Sequence, residues 1–212
     1  MFRIVLDTET TNSLEEPFAY DIGWAVVDEN GEIVKTESYA VAEIFLDTEM
    51  MNNAYFAEKI PQYWDEIKNG DRKLARLRTI YFSLRNDCKA YGISEIYAHN
   101  ARFDDLSLKL TQRFCTGSKY RFFIPYGVQI CDTLKMSRQA FGKDKNYIAF
   151  CEENGYKTAR GQKKMTAEIL YRFLSGDNSF EEIHKGIDDV LIEKEILIEC
   201  LRRGVTEGAL YE

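Results

Sequence analysis

The chain reads as an α/β fold, one mixed five-stranded sheet flanked by helices. Three observations carry that. Residues 2–6 form an apolar run short enough to be a buried strand. Residues 19–27 and 32–41 alternate on either side of an Asn30-Gly31 turn, the pattern of a hairpin. Short apolar strands at 95–98 and 127–131 then interleave with segments of helical period, the pattern of a parallel half-sheet.

Taken in order, the opening run ends in Asp7 and Glu9, followed by a polar loop over 12–17. In the next strand Tyr20, Ile22, Trp24 and Val26 share one face. Residues 43–70 supply apolar mass, and Pro61 interrupts any long helix there. Leu74, Leu77, Tyr81, Leu84, Cys88 and Tyr91 predict one amphipathic helix over 71–91, ended by Gly92. After the 95–98 strand comes a helix with Leu106, Leu110 and Phe114 on one side. Asp132 reads as the N-cap of the helix after it. Helices are expected at 146–154 and 165–174, a capping box at Ser179-x-x-Glu182, and a last long helix over 188–203.

With 212 residues, 45% of them hydrophobic, the chain can fill one sizeable core, so a single domain over 1–212 is expected, with a helical insertion at about 43–91. No apolar run approaches a membrane span, and Asp7 interrupts the N-terminus before any export signal could form. Five scattered cysteines without a C-x-x-C pair point to reduced thiols, hence a cytoplasmic protein, and away from a zinc site. The net charge of −7 is unevenly spread. Residues 133–165 hold eight Lys or Arg against three Asp or Glu, so the remainder stands at −12. Within that stretch Lys143, Lys145, Arg160, Lys163 and Lys164 are candidates for phosphate contact.

The chemistry sits in three short motifs. Asp7 and Glu9, two residues apart on a strand, point to the same face. Two buried like charges need a cation or a proton between them, and hard oxygen ligands suit Mg²⁺ or Mn²⁺. Asp104 stands at the first turn of a helix that follows a strand, and His184 precedes Asp189 by five residues at the start of the last helix. The spacing favours Asp189 over Asp188, which is expected to face solvent, as is Asp105. His99 reads as structural and Asn100 as a loop pin that uses its amide.

Asp7-Thr8-Glu9, Asn100-x-x-Phe103-Asp104 and His184-x-x-x-x-Asp189 together resemble the three motifs of the DEDDh 3′–5′ exonucleases. These are the DnaQ-like group that includes the epsilon-type proofreading subunit of DNA polymerase III, with phage and prophage members. The resemblance covers nearly the whole chain and implies an RNase H-like exonuclease fold and a phosphodiester hydrolase using two Mg²⁺ or Mn²⁺. By the same resemblance Asp7 would bridge both metals and Glu9 and Asp189 would complete the nucleophile side. Asp104 would hold the second ion, and His184 would be the general base. Thr8, Thr10, Asn100 and Phe103 are the residues it suggests for substrate contact. The implied partner is nucleic acid with a free 3′ end, DNA favoured, with RNA as the alternative in the manner of RNase T and oligoribonuclease. A partner polymerase is left open. Gly186 and Val190 depart from the family's usual alanines, and Gly186 is expected to loosen the approach to the last helix. The rival classes are a haloacid dehalogenase-like phosphatase, which wants Asp where Glu9 stands, and an inactive nucleic-acid-binding module.

Overall fold

The computed structural model describes residues 1–119 and 122–211. Its strands are β1 Arg3–Asn12, β2 Pro17–Val27, β3 Ile33–Val41, β4 Lys73–Ala75, β5 Glu95–Ala98 and β6 Gln129–Asp132. They form one mixed sheet in the order β4-β3-β2-β1-β5-β6. β1, β2 and β3 are an antiparallel meander, while β5 pairs parallel to β1, β6 to β5 and β4 to β3. The helices are α1 Ala42–Phe45, α2 Thr48–Met51, a 3-10 turn at Ala57–Lys59, α3 Ile60–Asn69 and α4 Leu77–Tyr91. They continue with α5 Ala101–Thr116, α6 Thr133–Phe141, α7 Lys145–Glu153, α8 Ala167–Ser175 and α9 Gly186–Arg202.

The pleat explains the layers. Ile4, Leu6, Tyr20, Ile22, Trp24 and Val26 point to one face and pack with Leu77, Ile80 and Leu84 of α4. Val5, Ala25 and Val27 point to the other and pack with Met136 of α6, Leu170 of α8, and Val190 and Leu197 of α9. Each face of the sheet therefore has its own core, and β1 lies inside the sheet between β2 and β5.

Several elements differ from the sequence expectation. The sheet has a sixth strand, because residues 73–75 pair with β3 and shorten the expected 71–91 helix to α4. β1 does not stop at Leu6: its ladder with β2 continues to Asn12↔Pro17, so Asp7 and Glu9 lie inside the strand. Its parallel ladder with β5 ends at Val5↔Tyr97, so both acids still stand beyond the carboxyl end of β5. α5 buries Ser107, Leu108 and Thr111 and leaves Leu106 and Phe114 exposed. The reason is hydrogen bonding: Thr111 accepts the Ala19 N–H at 2.8 Å, and the Ser107 and Thr8 hydroxyls meet at 3.1 Å. Ser179-x-x-Glu182 caps no helix, since Ser179 turns back to donate to Asp177 and the chain stays irregular to Lys185. Asp105 is buried rather than solvated, paired with Lys109 at 2.6 Å and with the Tyr211 hydroxyl.

Candidate active site

β1, the start of α5 and the start of α9 converge on one open cleft of about 890 Å³. Strand alternation places Asp7 and Glu9 on the Val5 side of β1, the side that α9 packs against. Asp104 enters from the first turn of α5 and is 3% exposed. Thr8 lies on the opposite face of β1 and donates its hydroxyl to Asp104 Oδ1 at 2.9 Å, which fixes that carboxylate. Asp189 enters from the first turn of α9, where helix-terminal N–H groups favour an anion. Glu9, His184 and Asp189 bring one ligand atom each within 4.8 Å of the others. The His184 N–H meets Asp189 Oδ1 at 3.3 Å.

Asp188 lies outside this cleft and, contrary to expectation, is half-buried rather than solvent-facing, its carboxyl raised by burial, while Asp189 lines the cleft. Asn100 and Phe103 line the cleft, whereas Thr10 does not. Asn100 pins the loop through its backbone. It sits at φ 65°, and its N–H donates to Asp132 at 3.0 Å. Asp132 accepts the Leu134 N–H at 2.9 Å, the N-cap of α6. His99 holds the wall, its ring nitrogens meeting Thr133 Oγ1 at 3.0 Å and the Met165 carbonyl at 2.7 Å.

The electrostatics are those of crowded acids. Burial, then Glu193, Asp104, Glu9 and Asp189, push the Asp7 carboxyl well above its usual range. Burial and the neighbouring Asp189 push Glu9 up to about 9. Burial raises Asp104 to about 7, against the Thr8 hydrogen bond. Burial and Glu182 raise Asp189 to about 7. His184 moves the other way, lowered by burial and by Lys59, which favours its neutral imidazole. Asp7 Oδ2 is buried and has no hydrogen-bond partner among the described residues. A buried oxygen without a donor, among acids that repel one another, fits a hard divalent cation.

Three site residues escaped the sequence reading. Glu193 lies one helical turn after Asp189, is 3% exposed, lines the cleft, and accepts the His99 N–H at 3.1 Å. Its signal was available: an acid at i+4 from a candidate ligand, set among Val190, Ile192, Ile196 and Leu197. Glu182 also lines the cleft, and burial raises its carboxyl to about 7. Phe56 stacks on the His184 ring, centroids 4.2 Å apart and planes 10° apart. Lys59 lies over Phe56 at 4.7 Å and donates to the Ile183 carbonyl. No motif announces Glu182 or Phe56.

Behind the site runs a buried polar chain. Asp21, fully buried beside Glu9, accepts from the Tyr63 hydroxyl at 2.7 Å, from the Gly186 N–H at 2.9 Å and from Arg72. Glu66 links Arg72 to Lys185. Gly186 therefore does not loosen the entry to α9. A Cβ there would stand 3.0 Å from the Gly23 nitrogen and 3.2 Å from the Asp7 carbonyl, so glycine permits the close approach of α9 to β1 and β2.

No protein-family model matches the chain, and no curated protein matches it by sequence. Solved structures do. Exonuclease X in complex with 5′-overhanging duplex DNA matches with a TM-score of 0.51 and 15% identity, over 97% of this chain and 95% of that one. E. coli exonuclease I in complex with a dA16 oligonucleotide matches at 0.54 and 13%, over 95% of this chain and 41% of that one. S. pombe Pop2p in its Mg²⁺- and Mn²⁺-bound form matches at 0.51 and 12%, over 93% and 81%. The chain has the RNase H-like fold of these DEDDh-type, DnaQ-like exonucleases. It spans about two fifths of the length of exonuclease I. Among the described residues no helix is long and apolar enough to cross a membrane.

Proposed function

We propose that this protein is a metal-dependent 3′–5′ exonuclease of the DEDDh type. Its substrate would be single-stranded or frayed DNA, hydrolysed from the 3′ end to nucleoside 5′-monophosphates. The observation that carries the reading is the meeting of Asp7, Glu9, Asp104, Asp189 and His184, from three distant segments, in one cleft of a chain with an exonuclease fold. Asp7, Glu9, Asp104 and Asp189 would hold two Mg²⁺ or Mn²⁺ ions, which neutralise the phosphate charge and lower the pKa of the attacking water. Thr8 keeps Asp104 oriented through its hydroxyl. His184, stacked on Phe56 and biased toward its neutral form by burial, would take the proton from the water as its oxygen bonds to phosphorus and the bond to the 3′-oxygen breaks, that oxygen leaving with the shortened strand. Asn100 and Phe103 at the cleft wall would contact the terminal nucleotide.

In this reading one exonuclease domain occupies 1–212, and residues 43–91 are an addition to its minimal core that brings Phe56, Lys59 and Arg72 behind the third motif. The reduced thiols at Cys88, Cys115, Cys131, Cys151 and Cys200 fit a cytoplasmic protein. The test is a time course on 5′-labelled single-stranded DNA and matched RNA, with Mg²⁺, with Mn²⁺ and with EDTA. A metal-dependent ladder shortening from the 3′ end, lost in Asp7→Asn, is the expected result. Faster cleavage of the RNA would move the substrate to the RNase T-like branch. Absence of cleavage by folded, metal-loaded protein would refute the reading.

A further inference from the structure

We propose that the hairpin over residues 156–164 is a backbone clamp. It would grip phosphates of the strand whose 3′ end occupies the acidic cleft, upstream of the bond that is cut. The inference rests on the exonuclease reading and adds how the strand is held. The hairpin closes through Thr158 N–H to Gln162 carbonyl at 2.7 Å and Lys164 N–H to Tyr156 carbonyl at 3.1 Å, and it turns at Gly161 with φ 75°. Gly161, Gln162, Lys163 and Lys164 line the same cleft as the acids.

Its charge is one-sided. From 154 to 167 the chain carries Lys157, Arg160, Lys163 and Lys164 and no acid, in a protein of net charge −7. Lys163 pairs with Glu152 at 3.3 Å. Lys157, Arg160 and Lys164 are exposed and, among the described residues, belong to no ion pair. Of the three, Lys164 lines the cleft, while Lys157 and Arg160 lie on the same hairpin beyond its lining; unpaired cations so placed create a field that attracts a polyanion toward the rim.

Its stem is held to the site itself. The buried Tyr147 donates its hydroxyl to the Lys164 carbonyl, and Arg172 donates to the Tyr156 hydroxyl at 2.9 Å. His99, which meets the Met165 carbonyl, has its own N–H bound by Glu193 of the cleft. The cations therefore stand at a set distance from the acids. An arm of four residues at about 3.3 Å each is roughly 13 Å long, so the proposed contacts run along the rim of the cleft rather than to a single phosphate. The proposal places the clamp upstream of the bond that is cut, so a substrate with a single phosphodiester should not depend on it.

The experiment compares the wild type with the triple variant Lys157→Gln, Arg160→Gln, Lys164→Gln on two substrates. One is the p-nitrophenyl ester of thymidine 5′-monophosphate; the other is a 5′-labelled oligonucleotide of about ten nucleotides, within the usual range of single-strand sites. The expected result is a KM for the oligonucleotide raised roughly tenfold. The slope of log KM against log salt should fall by about two, three contacts at about 0.7 each. kcat and hydrolysis of the ester should not change. An unchanged KM and slope would overturn the clamp, as would an equal loss on the ester, which would mean that the site itself had been disturbed. If the wild type cleaves neither substrate, the exonuclease reading fails and the clamp is judged by fluorescence anisotropy of the labelled oligonucleotide in Ca²⁺. Weaker binding by the variant then supports it, and equal or absent binding by both proteins overturns it.

Discussion

The crowded acids of the cleft should make stability depend on pH and, on the proposed function, on metal. Asp104 and Asp189 stand at about 7 in the folded chain against an ordinary 3.8. A carboxyl raised on folding binds its proton more tightly in the folded state. Its contribution is therefore fully present below the unfolded value near 4 and is lost as pH rises through 7. Three units at about 1.4 kcal/mol each correspond to about 4 kcal/mol for one such group. The acids share protons, so one group's worth is the magnitude to expect. For a domain of this size that is roughly 10 °C in melting temperature. A divalent cation held by these acids would replace the proton and remove the loss. Thermal melts should thus be run in EDTA and in Mn²⁺ from pH 5 to 8. The two histidines, both lowered by burial, oppose the trend below about pH 6.5; His99 is common to both arms, and a cation at Glu9 and Asp189 would disfavour a charged His184 further, which trims the gain at low pH and acts in the expected direction. The gain from Mn²⁺ should be small at pH 5 and grow to roughly 10 °C at pH 8. A gain that is constant across the range, or largest at pH 5, would refute the idea that these acids hold metal.

His184→Ala should lower kcat by roughly 10²–10⁴, the usual general-base contribution, with the Mn²⁺ gain in melting temperature largely kept; full activity would remove His184 from the mechanism. Phe56→Leu takes away the flat ring that holds one face of the His184 imidazole, and misplacement of a catalytic group costs up to about 10² in rate, so kcat should fall with KM steady. Phe56→Trp should restore it, and the loss should vanish in a His184→Ala background; an effect that persists there would assign Phe56 to substrate instead. Arg72→Met leaves Asp21 buried without its cation and should destabilise the fold by about 3–5 kcal/mol. A melt at pH 5 should show a smaller deficit than one at pH 8, because an isolated buried carboxyl is then closer to protonation; equal deficits would count against the charge explanation.

The parts of this molecule that were legible in the sequence are those where chemistry restricts residue type. Asp7 and Glu9 share a face because a strand has a period of two, wherever the strand ends. Asp104 and Asp189 could be placed because a strand and a helix start have sequence signals of their own. The sixth strand, Lys73–Ala75, had none: three residues carry no period, and Leu74 fitted the helical repeat that continues into α4. The α5 face was misread because its burial is polar, with Ser107 and Thr111 facing in to satisfy Thr8 and the Ala19 N–H. Asp105 was misread because its partners, Lys109 and Tyr211, meet it only in the folded chain. The same reason hides the supports of the site. Any carboxylate in the right place could accept the Gly186 N–H, and any flat side chain could cover His184, so Asp21 and Phe56 have no pattern to betray them. Asp21 is nonetheless buried in full, and burial of an acid is costly unless partners converge on it. Its partners are Tyr63 of α3, Arg72 just before β4, and the backbone between His184 and Asp189. The segment least readable in the sequence is therefore the one bound most directly to the third motif, and disturbing it should be felt at His184 before it is felt at Asp104.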